Sequence, residues 1–260
     1  TLIAFFASQH FDNVDVVSAV LEDNQFDYKK DTKFSDSIHA KEIGLELKVN
    51  FNLISIEPKK IFKDLTKILR ASQDWRDYNV HCAVLNYYIS EYISENFNTN
   101  EYIVLTGDFM NEAFADYNAE FIEGNEYYKQ PKFSQKVRQR FFLNGLDSSD
   151  REIGIFSSFG ISCIQPYSFV LEQYKLLTNN DLLKDRAKYR INGSLLPESL
   201  LNKINREKVR AQVGDSSGGI LGHFIKNGIT DKKLIEIFSE KFNLNEKFMN
   251  DFIQIGVYKI

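Results

Sequence analysis

Cysteine and proline are scarce in this chain, with two Cys and four Pro in 260 residues. Cys82 and Cys163 stand far apart in apolar contexts, which gives neither a disulfide framework nor a thiolate metal cluster. They read as reduced core residues of a cytoplasmic protein. The four His show no HxxxH spacing and there is no CxxC, so a structural zinc is not indicated. No apolar run approaches the ~20 residues that a membrane helix needs, and no membrane partner is expected. A basic excess is also missing: 32 Lys and Arg against 36 Asp and Glu leave a net charge of −4. There is then no electrostatic case for nucleic acid, and pairs such as Lys59-Lys60 and Lys232-Lys233 read as solvated helix faces. The apolar opening Thr1-Leu2-Ile3-Ala4-Phe5-Phe6-Ala7 carries no preceding positive charge, which makes a poor signal peptide. It reads as a helix entered in mid-element.

What is present is a globular composition, 43% hydrophobic with 22 Phe and 13 Tyr, in a chain long enough for one large domain or a domain with a small appendage. Leu2 to His10 is apolar at helical spacing. "VDVVSAVL" (14–21) is a short β-branched strand, "FSDSIHAKEIGLE" an amphipathic helix with Gly44 near its end, and "LKVNFNLISI" (47–56) an alternating strand. Pro58 suits the first turn of a helix running to about Arg70. Val80 to Phe97 predicts a long helix, and Tyr102 to Leu105 a third strand. This order predicts an α/β fold, a Rossmann-like parallel sheet with covering helices, over residues 1–120. From Lys132 onward helices are expected at 132–142, 149–159, 166–177, 181–191, 197–204, 218–226, 230–241 and 245–255, with no strand. Residues 121–260 are therefore read as a mostly helical part that completes the substrate site.

Open α/β sheets bind ligands beyond the carboxyl ends of their strands. The turn Thr106-Gly107-Asp108 falls there, in "IVLTGDFMNEAFADY" (103–117). Gly107 admits a ligand close to the backbone, and the following helix offers free N–H groups to an anion. Asp108, Glu112 and Asp116 would share one face of a continuous helix and hold Mg²⁺ or act as a base, or else Asp108 simply caps a solvated helix. A second cluster, Arg206, Lys208 and Arg210 before the turn Gly214-Asp215-Ser216-Ser217, suits a phosphate or a developing oxyanion, or is a plain loop between helices. A third, "SQDWRDYNVH" (72–81), is either substrate-facing or a capping segment.

These stretches, in this order, resemble the synthetase domain of the asparagine synthase family, which includes the β-lactam and carbapenam synthetases. The resemblance spans nearly the whole chain. Where the family carries LSG-x-G-x-DE-x-F-x-GY after the third strand, this chain reads "LTGDFMNEAFADY" (105–117), and where the family carries a late R-x-K segment it reads Arg206-Glu207-Lys208. Asp150-Arg151, Gly160-Ile161 and Pro166-Tyr167 look like the Arg segment leading to G-[IV]-x-x-R-x-PF-L-D, and "DSIHAKEIGLEL" looks like an upstream family helix. The resemblance implies an ATP-dependent amide-forming ligase, which adenylates a carboxylate and passes it to an amine or ammonia. It places Val20 against the adenine, and Thr106 and Gly107 against the adenosine, with Arg206 also on the nucleotide. Asp108 becomes the general base and Lys208 the cation that offsets charge at the acyl carbon. Arg151 becomes a substrate or phosphate contact. Asp77, Asn79 and His81 are further substrate candidates, packing being the other reading of Trp75 and His81.

The departures from the family pattern are specific. Asn111 replaces an Asp that helps hold Mg²⁺, which would move the ion to Glu112 or Asp116. The PF-L-D segment reads Pro166-Tyr167-Ser168-Phe169, without its acid and its upstream Arg. A glutaminase domain and the S-G-G-x-D-S pyrophosphate loop do not occur in these 260 residues. That loop lies upstream in relatives, so either the chain is cut after it or another chain or segment supplies it. The alternative function is a non-catalytic nucleotide-binding or partner module of the same fold. A thiouridylase- or NAD synthetase-like protein fits less well, because of Arg206 and Lys208.

Overall fold

The computed structural model describes residues 1–22, 36–110, 118–122, 125–129, 149–178, 181, 187–204, 219–245 and 247. The protein is mixed α/β. Helix α1 (Leu2–His10) leads to strand β1 (Asp15–Leu21), and helix α2 (Asp36–Leu47) to strand β2 (Asn50–Ile56). β1 and β2 pair in parallel from Asp15↔Asn50 to Leu21↔Ile56, as strands joined through a helical crossover can. Asn52 fixes the entry to this pair, donating to Asp15 at 3.3 Å and accepting from the Tyr92 hydroxyl at 3.2 Å.

Helix α3 (Pro58–Ser72) begins at Pro58, whose missing N–H costs nothing in a first turn. It buries Ile61, Leu65, Ile68 and Leu69, one stripe at helical period. Helix α4 (Asp77–Asn96) answers with Val80, Ala83, Val84, Tyr87 and Tyr88. Strand β3 (Ile103–Leu105) follows, and then an antiparallel hairpin, β4 (Asn118–Ile122) with β5 (Asn125–Lys129).

Helix α5 (Ser149–Ser158) lies against both α3 and α4. A Cβ on Gly154 would sit 2.9 Å from the Ala71 carbonyl oxygen, so glycine permits the close α3–α5 approach. α5 ends in a Schellman turn. Gly160 takes φ +71°, the Ile161 N–H reaches the Phe156 carbonyl at 3.0 Å and the Gly160 N–H the Ser157 carbonyl at 3.0 Å. This turn delivers the chain to strand β6 (Ser162–Ile164), which pairs in parallel with β3.

A 3₁₀ turn (Pro166–Val170) and helix α6 (Leu171–Lys175) come next, then α7 (Ala187–Gly193), α8 (Glu198–Ile204), α9 (Gly219–Lys226) and α10 (Asp231–Lys241). Ile220, Phe224, Leu234 and Phe238 from the last two share one core with Leu21, Ile56, α3 and α4. A second core joins Leu2, Phe109, Tyr167, Leu196 and Leu200.

Several expectations need correction. A strand does occur after residue 132: β6 is three residues of no distinctive pattern, stabilised by β3. The 166–177 helix is a 3₁₀ turn followed by a short α-helix, and α4 starts at Asp77 rather than Val80. The described parallel strands form the pairs β1–β2 and β3–β6. The helices expected at 132–142 and over most of 245–255 lie outside the described residues. No helix among the described residues is long and apolar enough to cross a membrane.

Candidate functional site at the end of strand β3

The β3 strand is extended by one further bond, from the Thr106 N–H to the Ile164 carbonyl at 3.1 Å. The chain then turns sharply, and Phe109 adopts φ +78°, a left-handed conformation that a bulky residue rarely takes. Its ring compensates by burial in the second core, only 6% exposed. Strain of about 1–3 kcal/mol is typical of such a residue and clusters at functional turns. This conformation also corrects the expected acid row, because Asp108 precedes a left-handed residue and does not share a continuous helix with Glu112 and Asp116. Those two, with Asn111, lie outside the described residues.

Asp108 meets Arg151 of α5, whose guanidinium donates to its Oδ2 at 3.2 Å. Arg151 is 7% exposed, and its other terminal nitrogen donates to Asn79 Oδ1 at 3.1 Å. Asn79, in the first turn of α4, donates in turn to Asp74 at 2.5 Å. Asp74 is gripped by Arg76, whose Nε lies 2.9 and 3.0 Å from its two oxygens and whose NH2 lies 2.6 Å from Oδ2. The Arg76 backbone N–H adds a turn bond to Asp74 at 2.9 Å. The segment 72–81 is therefore a lock on the start of α4 that reaches the β3 turn through Arg151.

Three candidates from separate stretches, Asn79, Asp108 and Arg151, thus converge. Thr106 lies at the same turn, and its hydroxyl oxygen is buried with no hydrogen-bond partner among the described residues. Gly107 is neither left-handed nor crowded, since a Cβ there would meet nothing within 4 Å among the described residues. His81, two residues along α4 and so on the opposite side from Asn79, packs edge-on to Phe224 at 4.9 Å. Trp75 packs on Phe238. Val20 is buried near the carboxyl end of β1. Asp77 falls in the first turn of α4, its side chain outside the described residues, as are Arg206 and Lys208.

Sequence reasoning missed Glu152, a buried carboxylate next to Arg151. It accepts from Asn86 at 3.3 Å and, more weakly, from Gln165 at 3.5 Å. It also missed the roles of Asp74 and Arg76, although an Asp two residues before an Arg at a helix start is a readable turn signal. Cys163 on β6 lies within reach of this charge. Burial first, then Glu152 and Asp108, push its thiol up from 9.0 to about 12. It is a poor nucleophile and a poor metal ligand. Among the described residues no three His, Cys, Asp or Glu gather into a metal cluster, and Asp108 is already engaged by a cation. The described part of the site does not by itself form a Mg²⁺ cage. No protein-family model matches the chain, and no curated protein matches it.

Proposed function

We propose that the protein is an ATP-dependent, AMP-forming carbon–nitrogen ligase of the asparagine synthase type, built on a Rossmann-like parallel sheet. The observation that supports this is the convergence of Asp108, Arg151 and Asn79 at the carboxyl end of β3, beside Gly107, where a Cβ would meet nothing within 4 Å among the described residues. In this reading a substrate carboxylate oxygen attacks the α-phosphorus of ATP, releasing pyrophosphate and forming an acyl-adenylate. An amine then attacks the acyl carbon, Asp108 takes its proton, and AMP leaves. A dry site makes a fixed cation such as Lys208 worth about 3–4 kcal/mol to the charge developing there. Val20, Thr106, Gly107 and Arg206 contact the nucleotide, Arg151 and Asn79 stand with Asp77 behind Asp108 on the substrate side, and Glu112 would hold the Mg²⁺ that accompanies the ATP phosphates. The pyrophosphate loop comes from a segment or chain outside these 260 residues. Two cysteines outside any disulfide suit a cytoplasmic setting.

The test is exchange of labelled pyrophosphate into ATP by the full-length protein, screened over amino acids and dicarboxylates. Exchange that depends on one acid is the expected result. ATP binding with no exchange for any acid would favour the second reading, a non-catalytic nucleotide-binding module, for which Asn111 in place of the metal-holding Asp speaks.

A further inference from the structure

The contacts around Arg151 form a chain rather than a pair, running from Asp74 to Asp108. At one end, Arg76 holds Asp74 through Nε on both oxygens and Nη2 on one, plus a backbone bond. At the other, Asp108 is 30% exposed and accepts from Arg151 at 3.2 Å. Asn79 connects the two ends, and its orientation is forced. Its Nδ2 faces the Asp74 carboxylate and its Oδ1 faces the Arg151 guanidinium, and a flipped amide would turn both contacts repulsive. Among the described residues Arg151 Nε is buried with no hydrogen-bond partner, and the guanidinium donates there to Asn79 and Asp108.

We propose that Arg76, Asp74, Asn79 and Arg151 form a positioning relay that sets the orientation and the proton affinity of Asp108. Asn79 and Arg151 then serve the reaction through Asp108 rather than by touching substrate. This deepens the proposed function and rests on it for the role of Asp108 as base, but the geometry of the relay does not. Among the described residues, Cys163 on β6 lies near both Asp108 and Glu152 of α5, and neither Cys163 nor Glu152 belongs to the relay.

The experiment follows the Asp108 carboxyl carbon by ¹³C NMR across a pH titration, its signal assigned by its loss in Asp108→Asn. Arg151→Lys retains the charge but cannot span both Asn79 and Asp108. Asn79→Ala cuts the relay, and Asn79→Asp, of the same shape, places a competing carboxylate on Arg151. The relay predicts that the Asp108 pKa rises in all three and most in Asn79→Asp, toward the range of about 1–3 units that an opposite charge controls. Asp74→Asn, two contacts away, raises it by a smaller amount. A purely structural role for Asn79 and Asp74 would lower the melting temperature and leave this titration in place. An Asp108 pKa that moves with Arg151→Lys but not with Asn79→Ala, Asn79→Asp or Asp74→Asn in the folded protein overturns the relay. The readout needs no substrate, so failure of the ligase reading and failure of the relay give different results.

Discussion

Gly107 carries no side chain at a position where the fold does not demand its absence. Its backbone is not left-handed and a Cβ would meet nothing nearby among the described residues. Glycine here is best accounted for by a ligand approaching the backbone. Gly107→Ala should therefore leave stability within about 0.5 kcal/mol of wild type and weaken ATP binding on the order of tenfold. Calorimetric titration with ATP and a urea melt check the two halves; unchanged ATP affinity would remove this support for the site. Phe109 shows the opposite case, a residue whose backbone is costly and whose ring holds the turn in the core. The sequence pattern suggested a carboxylate row along one helix, and the left-handed Phe109 is why no such row starts at Asp108. Nothing local in "GDFMN" signals that conformation, because the stabilising partners, Leu2, Tyr167 and Leu200, are remote in sequence.

At the scale of elements, the parts legible in sequence are those with a local cause. α3 follows from Pro58 and a buried stripe at helical period, and β1 from consecutive valines. β6 was not legible because Ser162-Cys163-Ile164 becomes a strand only by pairing with β3. The three candidates at the site were each readable as residue types, whereas their meeting depends on α5 lying across α3 and α4. Gly154 tests that crossing. Alanine would gain about 1 kcal/mol in helix propensity, against about 1–3 kcal/mol for forcing apart a well-packed contact with backbone. Gly154→Ala should therefore lower the melting temperature despite the propensity gain. A melting temperature equal to or above wild type would mean that α5 can shift away from Ala71 freely.

Across the whole molecule, the titrating groups that burial perturbs nearly all shift the same way. Cys163 is pushed up to about 12, and the hydroxyls of Tyr87, Tyr88, Tyr167 and Tyr174 are raised, first by desolvation. In Tyr88 the Asp64 carboxylate adds to the effect. An acid whose folded pKa is raised stays protonated in the native state while the unfolded chain ionises. Stability is therefore full below the unfolded values, near 9 for the thiol and 10 for the phenols, and falls as pH rises above them. Lys60, raised chiefly by its hydrogen bond to Glu91, loses its contribution in the same direction. Urea midpoints measured from neutral to strongly alkaline pH should fall from about pH 9 upward. Midpoints that stay level through strongly alkaline pH would contradict this.

The proposed ligase function rests on the turn after β3 as its amine-activating edge, with Asp108 as the proposed base. The most direct measurement compares Asp108→Asn with wild type in two assays on the full-length protein and its identified acid: ATP–pyrophosphate exchange and amide formation. Asparagine keeps an acceptor for the buried Arg151, and a urea melt of the variant confirms that it is folded under the assay conditions. The account predicts exchange close to wild type with amide formation lowered by about 10²–10⁴-fold, the usual share of a general base. Amide formation at the wild-type rate would contradict it, as would equal loss of both activities.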